Sequence, residues 1–250
     1  MNKKYKMKKI KTEGFKMYKY LLWDIDGTIL DFIAAEKCAI KALFKKYNIG
    51  SCTDEMIDNY SAINKRYWEA LERGEMTKPQ ILVGRFEEFF KEINVDTAIA
   101  HDFNNDYQLT LGDYVIFEDG AVECLRMLKN KYKQIAVTNG TKVAQEKKLR
   151  TSGLDKIFDE VYISEDVGYE KPNKAYFDRI FAQEGISNLS EVIIIGDSLT
   201  SDILGGNNAG IDTCWYNPSG NINDKGVSVT YEVRKVSEVA KILTNSYKYS

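Results

Sequence analysis

The chain has 250 residues, 44% of them hydrophobic and 29% charged, an ordinary globular composition that suits one large domain or two modest ones. A core of that size can hold a pre-formed site without disulfide support, and no apolar stretch approaches the ~20 residues that a bilayer span requires. Net charge is −2, but residues 1–16 hold seven lysines against one glutamate, which leaves −8 for the remainder. An acidic body disfavours long nucleic acids as partners.

The basic segment 1–16 lacks the apolar stretch of a secretory signal and reads as a disordered or extraneous extension. A nucleic-acid or membrane contact is the sharper alternative, and a weaker one for a single short charge run. Four apolar runs then read as buried strands: Tyr20–Trp23, Ile135–Val137, Val161–Ile163 and Val192–Ile195. Between the first and second lies a different stretch, 33–117, without a convincing strand. It carries amphipathic segments near 33–47, 54–73, 80–93 and 96–110; Phe86, Phe89, Phe90 and Ile93 follow helical spacing and read as bundle core. Further helices are predicted over Ala121–Lys131, from an Asn173 N-cap after Pro172, and from near Asp202 to a Gly210 C-cap. Strand and helix in alternation predict a doubly wound, Rossmann-like α/β core (17–32 and 118–250) with an all-helical cap (33–117) inserted after the first strand. Residues 244–250 read as a frayed end. Cys38, Cys52, Cys124 and Cys214 form no CxxC pair and suit reduced thiols in the cytoplasm.

In open α/β sheets, sites form beyond the carboxyl ends of strands. After the first strand comes Asp24-Ile25-Asp26-Gly27-Thr28, whose two carboxylates project the same way along extended chain. After the second comes Thr138-Asn139-Gly140, where a hydroxyl and free N–H groups can hold a phosphoryl oxygen, although taken alone a plain turn is the better explanation. After the third, a loop ends in Lys171-Pro172; the lysine can supply a point charge for phosphate, although taken alone a lysine there is more often solvated. After the fourth comes Gly196-Asp197-Ser198-Leu199-Thr200-Ser201-Asp202; a helix cap would explain Asp202 but not Asp197. Each signal is modest alone. Together they supply complementary parts at successive strand ends.

This order of motifs resembles the haloacid-dehalogenase-like hydrolase superfamily over residues 18–240. Leu30-Asp31-Phe32 with Ala35-Glu36, the segment Ile163 to Pro172, and the run Gly196 to Pro218 further resemble the bacterial noncanonical-pyrimidine 5′-nucleotidases. Trp23 stands where the superfamily usually has Phe before the first Asp. The resemblance implies a Mg²⁺-dependent phosphomonoesterase with Asp24 as nucleophile and Asp26 as acid/base. Asp24, the backbone carbonyl of Asp26 and Asp197 would be metal ligands, and Thr138, Asn139 and Lys171 the phosphate grip. Asp202 and Ser198 would support them from behind. An alkoxide is a poor leaving group, so a second Asp able to donate a proton favours phosphate over halide substrates. The implied substrate is a pyrimidine (deoxy)nucleoside monophosphate; phosphoglycolate or a sugar phosphate is the alternative, and a phosphosugar mutase a further one. Substrate choice would rest with Phe32 and the residues of 33–117. The single histidine, His101, reads as a surface or bundle residue. The expected partner is a small phosphate monoester, with no long nucleic acid and no membrane, in a monomer or homodimer.

Overall fold

The computed structural model describes residues 17–245, so the basic segment 1–16 and the tail 246–250 lie outside the described residues. Six parallel strands form one sheet in the order β3-β2-β1-β4-β5-β6: β1 Tyr20–Trp23, β2 Lys133–Thr138, β3 Glu160–Ile163, β4 Val192–Gly196, β5 Asp212–Tyr216 and β6 Tyr231–Val233. β1 lies between β2 and β4, with Leu22 level with Ile135 on one side and Ile194 on the other. Alternation along β1 feeds both faces. Leu21 and Trp23 join a cluster with helices α5 (Ala121–Leu128) and α10 (Ser237–Asn245); Leu22 joins one with α8 (Lys174–Glu184) and Ala209 of α9 (Leu204–Ala209). Covering both faces explains why β1, β2 and β4 read as continuous apolar runs, whereas β3, at the sheet edge, is only partly buried.

Helices α1 (Phe32–Tyr47), α2 (Asp54–Glu72), α3 (Lys78–Glu92) and α4 (Ala100–Leu111) form a unit with its own core. Tyr60 stacks on Phe86 at 4.9 Å, and Phe103 meets Phe86 and Phe90 edge-on at 5.0 Å each. Such pairs add to the apolar burial of the rings. The chain enters and leaves this unit at one place: Asp31 N–H donates to Ile116 O (2.8 Å), and Glu118 N–H to Ile29 O (3.0 Å).

The sequence reading missed several elements. β5 opens on Asp212-Thr213 and β6 has three residues, so neither presents a long aliphatic run. Helices α6 (Lys142–Ser152) and α7 (Ser164–Val167) were also missed. The buried face of α6 is Ala144, Gln145, Lys148 and Leu149, and two polar residues there erase the apolar periodicity. The helix expected from Asp202 instead begins with a π-turn over Leu199–Ile203, capped by Ser198, whose Oγ accepts from Ser201 N–H. Asp202 is thereby free for a different contact. Among the described residues, no helix is long and apolar enough to cross a membrane.

Candidate active site

The first strand delivers Asp24 into a buried position, and its N–H still pairs with Ile195 O (2.9 Å), so β1 and β4 hold its backbone from one side. The chain then turns sharply at Gly27, where φ is +88°. A Cβ there would lie 2.8 Å from Asp197 Oδ2, so this glycine serves both the turn and the close approach of a carboxylate. Thr28 Oγ1 donates to Asp197 Oδ1 (3.2 Å), and Trp215 Nε1 to Asp197 O (2.9 Å).

Lys171 is the electrostatic centre. Its Nζ donates to Asp24 Oδ1 (2.7 Å), Asp202 Oδ1 (2.7 Å) and Val137 O (2.9 Å), and the side chain is 1% exposed. The side chain of Asn139 brackets the lysine backbone: Nδ2 donates to Lys171 O and Oδ1 accepts from Lys171 N–H, both at 2.8 Å. Thr138 Oγ1 accepts from Gly140 N–H (3.0 Å), which shapes the loop after β2. Asp202 Oδ2 accepts from Ser198 N–H (3.1 Å). Gly196 makes that possible, because a Cβ there would sit 2.2 Å from Asp202 Cγ.

Three carboxylates against one ammonium leave the site short of positive charge. Burial first, then Asp202 and Asp26, push the Asp24 carboxyl up to about 7 despite the opposing pull of Lys171. Burial and the same crowding raise Asp197 well above the carboxylate range. Burial acts to lower Lys171, but Asp202 and Asp24 outweigh it and hold the ammonium above its ordinary value. One oxygen each from Asp24, Asp197 and Asp202 lie within 4.8 Å of one another, the spacing of a divalent-cation site.

Asp24, Asp26, Thr138, Asn139, Lys171, Asp197, Ser198 and Asp202 all line a single cavity of about 980 Å³. The helical unit closes its other side with Phe32, Glu36, Trp68, Glu72 and Arg85. Side-chain hydrogen bonds tie the unit to the site loops. Thr200 Oγ1 donates to Glu72, and Lys78 Nζ donates to Asn139 O (3.0 Å) and Ser164 Oγ (2.7 Å). Burial drives Glu72 up to about 7, with Thr200 opposing and Asp202 adding to the rise. His101 lies exposed on α4 and away from the cavity lining.

Sequence reasoning did not single out Gln145, Lys148, Glu72 or Lys78. The signal for the first pair was present: Thr141 is an N-cap after Thr138-Asn139-Gly140, and residues 145 and 148 then share one helical face.

Comparison with known proteins is consistent with this geometry. The chain is 40% identical to YfnB of Bacillus subtilis, a HAD-hydrolase by name, over 91% of this chain and 96% of that one. It is 35% identical to the pyrimidine 5′-nucleotidase PynA of Streptococcus pneumoniae (90% and 95%) and 32% identical to the pyrimidine 5′-nucleotidase YjjG of Escherichia coli (90% and 97%). The crystal structure of magnesium-bound YfnB superposes with a TM-score of 0.86, covering 91% of this chain and 99% of that chain. The family match itself spans residues 21–216, from β1 through β5, and the chain belongs to the haloacid dehalogenase-like hydrolases.

Proposed function

We propose that this hydrolase is a Mg²⁺-dependent phosphatase of pyrimidine nucleoside 5′-monophosphates, with residues 33–117 acting as its cap. The observation that carries the reading is the shared cavity, where Asp24, Asp26, Lys171, Thr138 and Asp197 face one space. The nucleotide assignment is supported by the two nucleotidase relatives, each aligned over nine-tenths of this chain.

The acidic cluster fits a hard divalent cation, since carboxylate oxygens at this spacing repel one another until positive charge joins them. Asp24, Asp197 and the backbone carbonyl of Asp26 would hold the ion, with Asp202 and Ser198 behind them. Bound there, Mg²⁺ supplies charge neutralisation that lets a carboxylate approach a phosphate dianion. The protein residues do the rest. Lys171 and the Thr138–Asn139 loop hold the phosphoryl oxygens, in a reaction that depends chiefly on positioning and charge stabilisation. Asp24 attacks phosphorus and forms an aspartyl phosphate as the ester bond breaks. Asp26 gives a proton to the leaving nucleoside oxygen, then takes one from the water that attacks the acyl phosphate. The helical unit covers the cavity, excludes bulk water and faces the nucleoside.

The test is phosphate release over a panel of dUMP, dTMP, sugar phosphates and phosphoglycolate, with and without EDTA. Preferential turnover of the nucleotides, lost in EDTA and restored by Mg²⁺, is expected. Equal or better turnover of sugar phosphates would overturn the nucleotide assignment; turnover insensitive to EDTA would overturn the metal requirement.

A further inference from the structure

Both carboxylate oxygens of Asp26 are held by one helix. Gln145 Nε2 donates to Oδ2 at 2.7 Å and Lys148 Nζ to Oδ1 at 2.6 Å. Gln145 is 0% and Lys148 2% exposed, and they lie three residues apart on α6. Two donors on two oxygens fix the plane of a carboxylate as one donor cannot. The ring of Phe32, the first residue of the helical unit, lies 5.2 Å from Lys148 Nζ and shields it.

Packing alone does not account for this arrangement. Gln145 Oε1 is buried without a partner among the described residues, a cost that the amide bears while its Nε2 serves Asp26. Room for the amide comes from Gly140. A Cβ on Gly140 would meet Gln145 Nε2 at 2.2 Å, and the φ of Gly140 lies outside the left-handed region, so space is what this glycine provides. The third residue of the Thr-Asn-Gly motif is thus tied to the second carboxylate of the first motif.

We infer that Lys148 and Gln145 are positioning residues that aim the Asp26 carboxylate at the water of the second half-reaction, with Gly140 as the gap that admits Gln145. The inference rests on the proposed roles of Asp24 and Asp26. In that half-reaction the water oxygen bonds to phosphorus as the bond from phosphorus to the Asp24 oxygen breaks. The water proton passes to Asp26, Asp24 returns as a carboxylate, and inorganic phosphate leaves. Lys148 and Gln145 exchange no proton; they set where the receiving oxygen points.

p-Nitrophenyl phosphate separates the halves, because p-nitrophenolate leaves with little help from a proton donor. In rapid mixing, Lys148→Met should give a phenolate burst of one per active site and then a steady rate about 10- to 100-fold below wild type. Lys148→Arg should recover most of that rate, and Gly140→Ala should show the same burst and stall. Asp26→Asn, run alongside, should show the pattern in its strongest form. If it does, while Lys148→Met keeps the wild-type rate or loses burst and turnover in parallel, the positioning role is overturned and the reading of Asp26 stands. If Asp26→Asn itself lacks the burst and stall, the reading of Asp26 falls and this inference falls with it.

Discussion

Two parts of the molecule treat buried charge in opposite ways. In the α/β core, charged groups touch directly: Lys171 bonds both Asp24 and Asp202, and Lys148 bonds Asp26. In the helical unit, Glu36 and Arg85 are both buried, but neutral groups stand between them. Glu36 accepts from Ser61, Asn64 Nδ2 (2.7 Å) and Tyr107 Oη (3.1 Å); Arg85 donates to Asn64 Oδ1 (2.6 Å) and Asn104 Oδ1 (3.1 Å). Asn64 thus bridges the two charges. Burial still raises the Glu36 carboxyl, although every partner named works against the rise. The helical cluster borders the same cavity, but its carboxylate is already met by three donors. The core cluster is open, with three crowded carboxylates that call for further positive charge. A saturated network specifies a packing arrangement; an unsaturated one is poised to bind.

Substitutions can break or sharpen that contrast. The largest effect should come from Asp24→Asn, which removes a charged oxygen of the proposed nucleophile from the open cluster. Phosphate release should fall by a factor of about 10⁴ or more while the circular dichroism spectrum stays the same. Activity near wild type would remove Asp24 from the mechanism. Next is Phe86→Ala in the helical unit, where the ring is 0% exposed and contacts Tyr60, Phe90, Phe103 and Tyr107. Urea unfolding should show a loss of about 4 kcal/mol; a loss under about 1 kcal/mol would mean that the aromatic cluster repacks freely. The smallest effect concerns Glu72, where the two regions meet. Its carboxyl is raised from 4.5 to about 7, so the fold favours the protonated form. Stability from this group is full below pH 4.5 and is lost as pH rises through about 7. Glu72→Gln should therefore gain about 2 kcal/mol on wild type between about pH 5 and pH 8 in metal-free protein. Parallel pH profiles for the two proteins would show that Glu72 is not buried against Thr200 in solution.

The sequence disclosed the core better than its supports. The strands β1, β2 and β4 were legible because burial on both faces leaves aliphatic runs, the edge strand β3 by its shorter run Val161–Ile163, and Asp24, Thr138, Lys171 and Asp197 all line the cavity. Phe86, Phe89 and Phe90 were legible as bundle core from their spacing. Hidden were positions where a polar residue occupies a buried face. Gln145 and Lys148 disguise α6, and Glu36, Asn64 and Arg85 interrupt the apolar stripes of their helices. Such residues look like solvated surface until the fold supplies their partners. The motif glycines show the same limit. Gly27, Gly140 and Gly196 are readable as turn residues, but what each makes room for is a side chain that the local sequence does not reveal: Asp197, far along the chain, for Gly27, and Gln145 and Asp202, on the following turns, for Gly140 and Gly196.

The paired crossing at Asp31–Ile116 and Glu118–Ile29 bears on how the protein acquires its fold. β1 must find β2 across the whole helical unit, with Tyr20 beside Lys133, a long loop to close and a slow pairing for a free chain. A helical unit that forms first, from contacts largely within itself, brings residues 31 and 116 together in advance. The remaining search for β2 then covers only the short stretch beyond Glu118. An inserted unit that folds on its own contacts thus adds to the β1–β2 loop only the distance between its two ends, whatever the number of residues it holds.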